Sequence, residues 1–309
     1  MLTKQICLVL GAGASQPYSF PTGGQLMELI QGTQPDEWWP LAKAVTGFDK
    51  GDHEEFVKRL RISDVPSIDQ FAGGNPESEK YPKALIAQFV GRMEISSNVL
   101  RNQRAVDWVS YLKHRIAHDV RQFAALKTKW PHVITFNYDR SFEESMLQRL
   151  VHTFHDAYAT PGLVAKLLRQ WQIVHVHGSL GDHPAFTEDG SGRPFAPTLE
   201  PAALEAAISR IILVHDAKAD SDEFTRARAL IQESELVFFL GFAFDPDNLE
   251  KLLPEASPDP IPSLFATVFD DAKSAIRAAS ARPHRRVVLN GNYTNCKALL
   301  EENSGSYSV

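Results

Sequence analysis

The sequence of 309 residues has little cysteine, no long apolar run and no surplus of basic residues. Its two cysteines, Cys7 and Cys296, cannot supply the thiolate ligands of a four-cysteine zinc module, and they argue against a disulfide framework, which fits a reducing, cytoplasmic location. No apolar stretch approaches the ~18 residues of a transmembrane helix. The net charge is −6, whereas nucleic-acid-binding domains carry a basic surplus. We therefore expect no membrane association and no direct binding of nucleic acid.

The chain does contain enough apolar residues, 43%, to bury a large core. Short apolar runs predict strands, and helical patterns lie between them. This alternation is typical of an α/β fold with a Rossmann-like, doubly wound parallel sheet. The predicted strands are 6–10, 133–136, 173–176, 236–240, 264–269 and 286–289, and the predicted helices are 24–30, 142–151, 162–171, 223–232, 271–281 and 295–302.

Two intervals interrupt this alternation within a single predicted domain, 1–309. Residues from about 31 to 130 place apolar side chains at helical spacing and predict a helical insertion. Residues from about 181 to 222 begin with many turn-forming residues and predict a loop-rich segment. The small, polar residues from Asn303 to Val309 predict a frayed tail.

The first candidate motif is GAGAS, residues 11 to 15, after the first predicted strand. Its glycines let the backbone approach phosphate oxygens, and the Ser15 hydroxyl adds a donor. The dehydrogenase-type fingerprint has a third glycine where this chain has Gln16, and it opens directly into a helix, whereas the pattern here predicts a helix only from about Gly24. The motif predicts a nucleotide-binding loop, and the alternative is a tight turn without a ligand.

The second motif is ITFNYD, residues 134 to 139. Thr135, Asn137 and Asp139 alternate, so their side chains share one face at the carboxyl end of a strand, where open α/β sheets bind ligands. An amide and a carboxylate suit a carboxamide ligand or a positioned water. The alternative for Asp139 is a structural cap of the helix that starts near Ser141.

Two further strand ends carry candidate residues. The predicted strand 173–176 leads into His177, which can act near neutral pH as a base or hydrogen-bond donor. The alternative is a buried histidine with a structural role, and we prefer this alternative for His175, which lies two residues earlier on the same predicted face. A metal site built from His175 and His177 is not favoured, because nothing nearby clearly supplies the remaining ligands. At the end of the predicted strand 236–240, the residues Leu240-Gly241-Phe242 predict a loop led by glycine. This loop can line the same ligand-binding edge of the sheet as the other motifs.

The four motifs, taken in this order along the chain, resemble the motifs of proteins with the sirtuin fold. The chain lacks the four-cysteine zinc module of deacetylating sirtuins, and Phe136 stands where those proteins have glutamine. It looks more like the bacterial sirtuin-like domains of anti-phage defence proteins, which share the FPTG segment (residues 20 to 23), the F-N-Y-D form of the second motif and a stretch similar to SIDQF (residues 67 to 71).

The resemblance implies an NAD+ hydrolase that releases nicotinamide and ADP-ribose and depletes the infected cell, with NAD+ as substrate and no metal. The loop at residues 11 to 15 would hold the diphosphate, Asp139 the carboxamide, and Asn137 the attacking water or the ribose. His177 would bind the ribose hydroxyls and act as base. The implied catalytic residues are Asn137 and His177, and the implied nucleotide-binding residues are Gly11, Ala12, Gly13, Ser15, Thr135, Asp139, Gly241 and Phe242.

Three other functions stay open. A sensor would bind NAD+ or ADP-ribose without cleaving it, a deacylase would transfer an acyl group, and a Rossmann oxidoreductase would need an acidic strand end that the helical residues 31 to 130 do not supply. The resemblance also implies a homo-oligomer. No sensor domain is recognisable in the chain, so we expect a separate activator, such as a helicase-type ATPase or an Argonaute-like protein.

Overall fold

A computed structural model describes residues 2–32, 39–72, 79–97, 99, 105–126, 130–156, 161–169, 171–196, 199–254, 262–267, 287–288 and 295–308. The chain forms an α/β structure around one parallel sheet. Its strands are β1 (Ile6–Leu10), β2 (His132–Thr135), β3 (Ile173–His175), β4 (Leu236–Leu240), β5 (Ser263–Ala266) and β6 (Val287–Val288).

The strands lie in the order β3-β2-β1-β4-β5-β6, which is the order of a Rossmann-like sheet. Central strand β1 pairs in register with both neighbours, so that Leu10 lies opposite Thr135 of β2 and opposite Leu240 of β4. The order reverses between β1 and β4. In open α/β sheets, ligands bind outside the carboxyl ends of the strands at such a reversal.

Helices cover both faces of the sheet, because β1 and β4 are apolar on both sides. They are α1 (Ala12–Ser15), α2 (Gly23–Gly32), α3 (Trp39–Thr46), α4 (Lys50–Ile62), α5 (Ile68–Ala72), α6 (Lys80–Ser96), α7 (Trp108–Ile116), α8 (Ser141–Thr153), α9 (Pro161–Leu168), α10 (Pro201–Arg210), α11 (Asp222–Gln232), α12 (Pro246–Leu252) and α13 (Cys296–Glu302).

One face packs against residues of α2, α4, α6, α7 and α8, and the other packs against α11 and α12. Alternation along β2 separates them, since Val133 belongs to the first core and Ile134 to the second. The described residues between β1 and β2 include helices α1 to α7 and no strand. The long connection between β1 and β2 is therefore made of helices and loops wherever the structure describes it.

Strands β1 and β4 have the predicted bounds, and β2, β3 and β5 differ from the predicted bounds by one to three residues at an end. The predicted helix at 271–281 lies outside the described residues. Helix α10 was not predicted, because the turn-forming residues before it dominate the predicted loop-rich segment. Its start fits the rule that proline is accepted in the first helical turn, where Pro201 stands.

The predicted fraying of residues 303 to 309 is wrong for the residues that the structure describes. Tyr307 is fully buried, and its ring lies 5.4 Å from that of Phe238 in β4. Its carbonyl oxygen accepts a hydrogen bond of 2.9 Å from the backbone N–H of Thr3. Tyr307 and its backbone contacts therefore anchor an otherwise small and polar segment.

A buried ionic cluster fixes the segment that follows β3. The Glu94 carboxylate in α6 accepts hydrogen bonds from Arg140 at 2.9 Å and from Arg193 at 2.5 Å. The guanidinium of Arg140 also donates to the backbone carbonyl of Gly181 at 3.2 Å. Because one carboxylate faces two guanidinium groups in the interior, removing it would leave two charges without their partner.

The described helices do not include one that is both long and apolar enough to cross a bilayer.

Candidate functional site

The four predicted motifs follow the carboxyl ends of β1, β2, β3 and β4. The loops after β1 and β4 contact each other directly at the reversal of strand order. Gly11 donates its N–H to the carbonyl of Leu240, and Gly13 donates to the carbonyl of Gly241, both at 3.0 Å. The crevice of this sheet is therefore built from backbone that two separate motifs supply.

Close packing explains the glycines in these loops. A Cβ on Gly13 would lie 2.9 Å from the Cα of Gly241. Gly241 has φ +59°, in the left-handed region, and a Cβ on it would lie 2.6 Å from the Cα of Gly13. Neither position accepts a side chain without a backbone shift. The glycines are required by the fold here, and the N–H groups of Gly11, Gly13 and Gly241 already donate to acceptors within the protein, which leaves them unavailable to a phosphate in this arrangement.

The predicted start of a helix near Gly24 is confirmed, since α2 begins at Gly23, but the expectation that no helix precedes it is wrong. Helix α1 begins at Ala12, directly after Gly11, and a 3-10 turn over Gln16–Tyr18 follows it. Small residues allow this turn to pack closely, and Pro17 occupies an early position of the 3-10 turn, where no N–H is needed. The chain therefore enters a short helix directly after β1.

A buried polar network joins the first two motifs. The Asn137 Nδ2 group donates to the carbonyl of Gly11 and to the Ser15 hydroxyl, both at 3.0 Å. The Ser15 hydroxyl donates in turn to Asp139 Oδ1 at 3.1 Å. The Thr135 hydroxyl accepts from the backbone N–H of Asn137 at 3.1 Å. The structure thus brings Gly11, Ser15, Asn137 and Asp139 together as one hydrogen-bonded group.

Asp139 also has a structural contact at the start of α8. Its Oδ1 atom accepts a hydrogen bond of 3.0 Å from the backbone N–H of Ser141. Burial raises the pKa of the Asp139 carboxyl, although hydrogen bonds from Ser141 and Ser15 oppose this shift. The predicted alternative, that Asp139 caps this helix, describes part of its role, because the same oxygen also contacts the first motif.

A small cavity of about 110 Å³ lies beside this network. It is far smaller than the ~300–1,000 Å³ of pockets that hold drug-sized ligands, so it has room for one ring and not for a dinucleotide. The SIDQF and FPTG stretches reach it together with the second motif. Its lining residues are Ala12, Phe20, Pro21, Thr22, Gly23, Leu26, Asp69, Val90, Phe136, Asn137, Tyr138 and Asp139.

His177 lies on the other face of the sheet, next to the second core. Its ring packs against Phe136 at 5.4 Å and Phe224 at 6.1 Å, and only 2% of the residue is exposed. Its Nε2 group donates to Asn248 Oδ1 at 3.0 Å, so the neutral ring carries its proton there. The buried Nδ1 acceptor has no hydrogen-bond partner among the described residues. Burial lowers the pKa of His177 to about 4. The imidazole is therefore neutral at physiological pH and lies outside the small cavity.

Phe242 also lies on the face of His177. Its ring contacts Phe136 at 4.8 Å and Phe244 at 5.2 Å, and it is buried. Phe136 contacts both of these residues and also lines the small cavity beside Asn137. The predicted site residues therefore form two groups, a polar one on the side of the helices α1 to α8 and an aromatic one on the side of α11.

The prediction that His175 and His177 share a face is wrong. Strand β3 ends at His175, and the chain turns before Gly178, which has φ +68°. His175 faces α8, where its Nε2 group lies 2.6 Å from Glu143 Oε1. Burial alone would lower the pKa of His175, but the Glu143 carboxylate overcomes this effect and raises it. The two histidines thus have different partners and cannot form a joint metal site in this arrangement.

A different set of metal-type donors occurs at Glu79, His215 and Asp216, whose donor atoms lie within 4.8 Å of one another. The Lys83 ammonium group lies 3.2 Å from Asp216 and 3.5 Å from Glu79. Because a lysine cation already contacts both carboxylates, this group is an ion-pair network.

Sequence reasoning missed two lining residues of the cavity, Asp69 and Tyr138. The Tyr138 hydroxyl donates to Asp69 Oδ1 and lies 3.2 Å from the carbonyl oxygen of Ile212. Tyr138 stands inside the second motif, and Asp69 stands inside the SIDQF stretch. The sequence indicated these two residues only by placing each within a motif-like stretch. Nothing in the sequence shows that their side chains contact each other.

Comparison with known proteins adds no family assignment, since neither a protein-family model nor a curated protein matches the sequence.

Proposed function

We propose that the protein hydrolyses NAD+ at the bond between nicotinamide and ribose. The observation that carries this proposal is the buried network of Ser15, Asn137 and Asp139, which lies beside a ring-sized cavity at the carboxyl edge of a Rossmann-like sheet. That edge is where such sheets bind nucleotides. The cavity offers an amide and a carboxylate to a planar carboxamide, which is what a nicotinamide ring presents.

The reaction requires the protein mainly to position the reacting groups. The nicotinamide of NAD+ is positively charged and leaves readily, so the main tasks are to stabilise an oxocarbenium-like ribose and to place water. The size of the cavity fits the nicotinamide ring alone, and the remainder of the dinucleotide would extend toward the Gly11–Ser15 loop. Asn137, held by Gly11 and Ser15, is the residue best placed to orient the reacting groups.

The resemblance to sirtuin-like defence domains extends this proposal to the cell. In that form, NAD+ depletion makes the protein a toxic effector of anti-phage defence and abortive infection. Such an effector must be restrained until infection, and a homo-oligomer together with a separate sensor protein would supply the restraint. These cellular statements rest on the resemblance of the motifs.

The test is to incubate the purified chain with NAD+, alone and with the products of neighbouring genes, and to follow nicotinamide and ADP-ribose by chromatography. Asn137→Ala is expected to lower the rate of nicotinamide release by about 10²–10³-fold, the typical cost of removing a preorganised polar group from a reaction centre. Asn303→Ala is the matched control, because the Asn303 amide donates to the carbonyl of Leu299 at the end of helix α13, away from the cavity lining.

A second candidate function, an NAD+ or ADP-ribose sensor, is favoured by one observation. His177, the expected base, is 2% exposed and lies on the other face from the cavity. Binding measured by calorimetry without release of nicotinamide under any of the conditions above would support the sensor and contradict the hydrolase. Turnover of an acylated peptide that depends on NAD+ would instead support the deacylase.

A further inference from the structure

Asp69 brings a second carboxylate to the cavity. It lies near the start of helix α5 and lines the cavity together with Asn137 and Asp139. The Tyr138 hydroxyl donates a hydrogen bond to its Oδ1 atom and so fixes the orientation of the carboxylate. The backbone that carries Tyr138 also carries both neighbouring polar residues of the second motif, so Asp69 is held at a defined position relative to them.

The other two candidates for a base are less suited to the cavity. Asp139 Oδ1 already accepts hydrogen bonds from Ser15 and from the backbone of Ser141. His177 lies behind Phe136 and donates through Nε2 to Asn248. Its low pKa makes it a weak base at neutral pH.

The surroundings of Asp69 also suit proton transfer. Burial raises the pKa of the Asp69 carboxyl, while the Tyr138 hydroxyl and the nearby His215 oppose this shift. A carboxylate with a raised pKa is a stronger base, because general bases work best when their pKa approaches the working pH. Asp69 is thus a positioned, partly buried carboxylate at the wall of the proposed reaction chamber.

We propose that Asp69 is the general base of the NAD+ hydrolysis proposed above, on which this assignment rests. The oxygen of a water molecule forms a bond to C1′ of the ribose while the bond from C1′ to the nicotinamide nitrogen breaks. The electron pair of that bond stays on nicotinamide, which leaves as a neutral molecule. The Asp69 carboxylate accepts a proton from the attacking water and later releases it to solvent, so that the products are nicotinamide, ADP-ribose and a proton.

The first experiment compares Asp69→Asn with wild type and with Asp64→Asn, the same chemical change at an exposed position five residues earlier. Asparagine keeps an oxygen that can accept from Tyr138, so the fold is expected to survive. We expect kcat to fall by about 10²–10⁴-fold with little change in KM, as for the loss of a general base. Asp64→Asn is expected to match wild type.

The second experiment separates a base from a merely structural residue. In Asp69→Ala, added formate is expected to restore part of the water-dependent release of nicotinamide, because formate can take the place of the missing carboxylate. Azide, a nucleophile with no proton to lose, is expected to release nicotinamide in Asp69→Asn at close to the wild-type rate. A residue that only supports the fold would show neither effect.

The outcomes distinguish the two proposals. If wild type releases no nicotinamide under any condition, the proposed function fails and the assignment of Asp69 falls with it. If wild type is active and Asp69→Asn hydrolyses NAD+ equally fast, only the assignment of Asp69 is overturned. The assignment is also overturned if Asp69→Ala gains nothing from formate, or if the Asp69→Asn reaction with azide is impaired as strongly as the reaction with water.

Discussion

Replacing Gly241 with alanine should destabilise the protein strongly, because this residue lies where the loops after β1 and β4 touch. Its φ of +59° costs an L-residue about 1–2 kcal/mol. An added Cβ would lie 2.6 Å from the Cα of Gly13 and closer still to the backbone N of Ala14. Overpacking of this kind costs about 1–3 kcal/mol. The two terms together predict a loss of about 2–5 kcal/mol in the free energy of unfolding.

The assay is urea unfolding followed by circular dichroism and tryptophan fluorescence, with the free energy taken from midpoint and slope. Gly24→Ala is the matched control. Gly24 lies in helix α2, where an added Cβ would meet no atom of the described residues within 4 Å, so alanine there is expected to stabilise by about 0.5–1 kcal/mol. A Gly241→Ala protein that unfolds at the wild-type urea concentration would refute the close packing between the two loops.

Three further predictions concern buried ionisable groups. Glu94→Gln leaves two buried arginines without their carboxylate and is expected to lower the free energy of unfolding by about 3–5 kcal/mol, measured by the same urea assay. The His177 imidazole is expected to stay neutral between pH 8 and 5 in NMR titrations, because burial holds its pKa at about 4; a titration near pH 6.5 would contradict its burial. Glu143 raises the pKa of His175, and His175 in turn holds the pKa of Glu143 below its usual value. Their pair should therefore stabilise the protein most between roughly pH 4.3 and 6.5 and lose this contribution as the pH rises through the raised pKa of His175. The difference in unfolding free energy between wild type and Glu143→Gln should therefore shrink toward pH 9, and a difference independent of pH would contradict the pair.

Much of the sheet could be predicted from the sequence because its strands are buried on both faces. β1 and β4 are continuous apolar runs that end at glycine, and their bounds agree with the prediction. The pairing order was harder, since periodicity says which face is apolar and not which strand is the neighbour. The parallel, doubly wound arrangement followed from the alternation of strands and helices alone.

The candidate site could be predicted in part. Asn137 and Asp139 follow one strand at alternating positions, and the rule that parallel strands end at one edge brings them to Ser15. The same alternation failed at His177, because it was applied beyond the end of β3, where the chain already turns. Phe136, directly before Asn137, packs against the opposite core and contacts His177 there.

The contacts of Asp69 and Glu94 could not be predicted, because both residues come from helices far along the chain from their partners. A helical pattern shows which side of a helix is buried, but it does not show which polar groups meet across the core. Tyr138 and Asp69 are 69 residues apart, and Arg140 and Glu94 are 46 residues apart. Such pairs become visible only when the packing of α5 and α6 on the sheet is known.

The position of β1 at the centre of the sheet has a consequence for synthesis on the ribosome. β1 pairs with β4, and next to this pair the backbone N–H of Gln5 bonds Glu235, 230 residues further along the chain. At roughly 5–20 residues per second, on the order of 10–50 s separate the emergence of the two strands. During that time the ICLVL segment, which is apolar on both faces, has only part of its final partners. The nascent chain is therefore expected to need chaperone binding at β1, and fragments that end before β4 should aggregate.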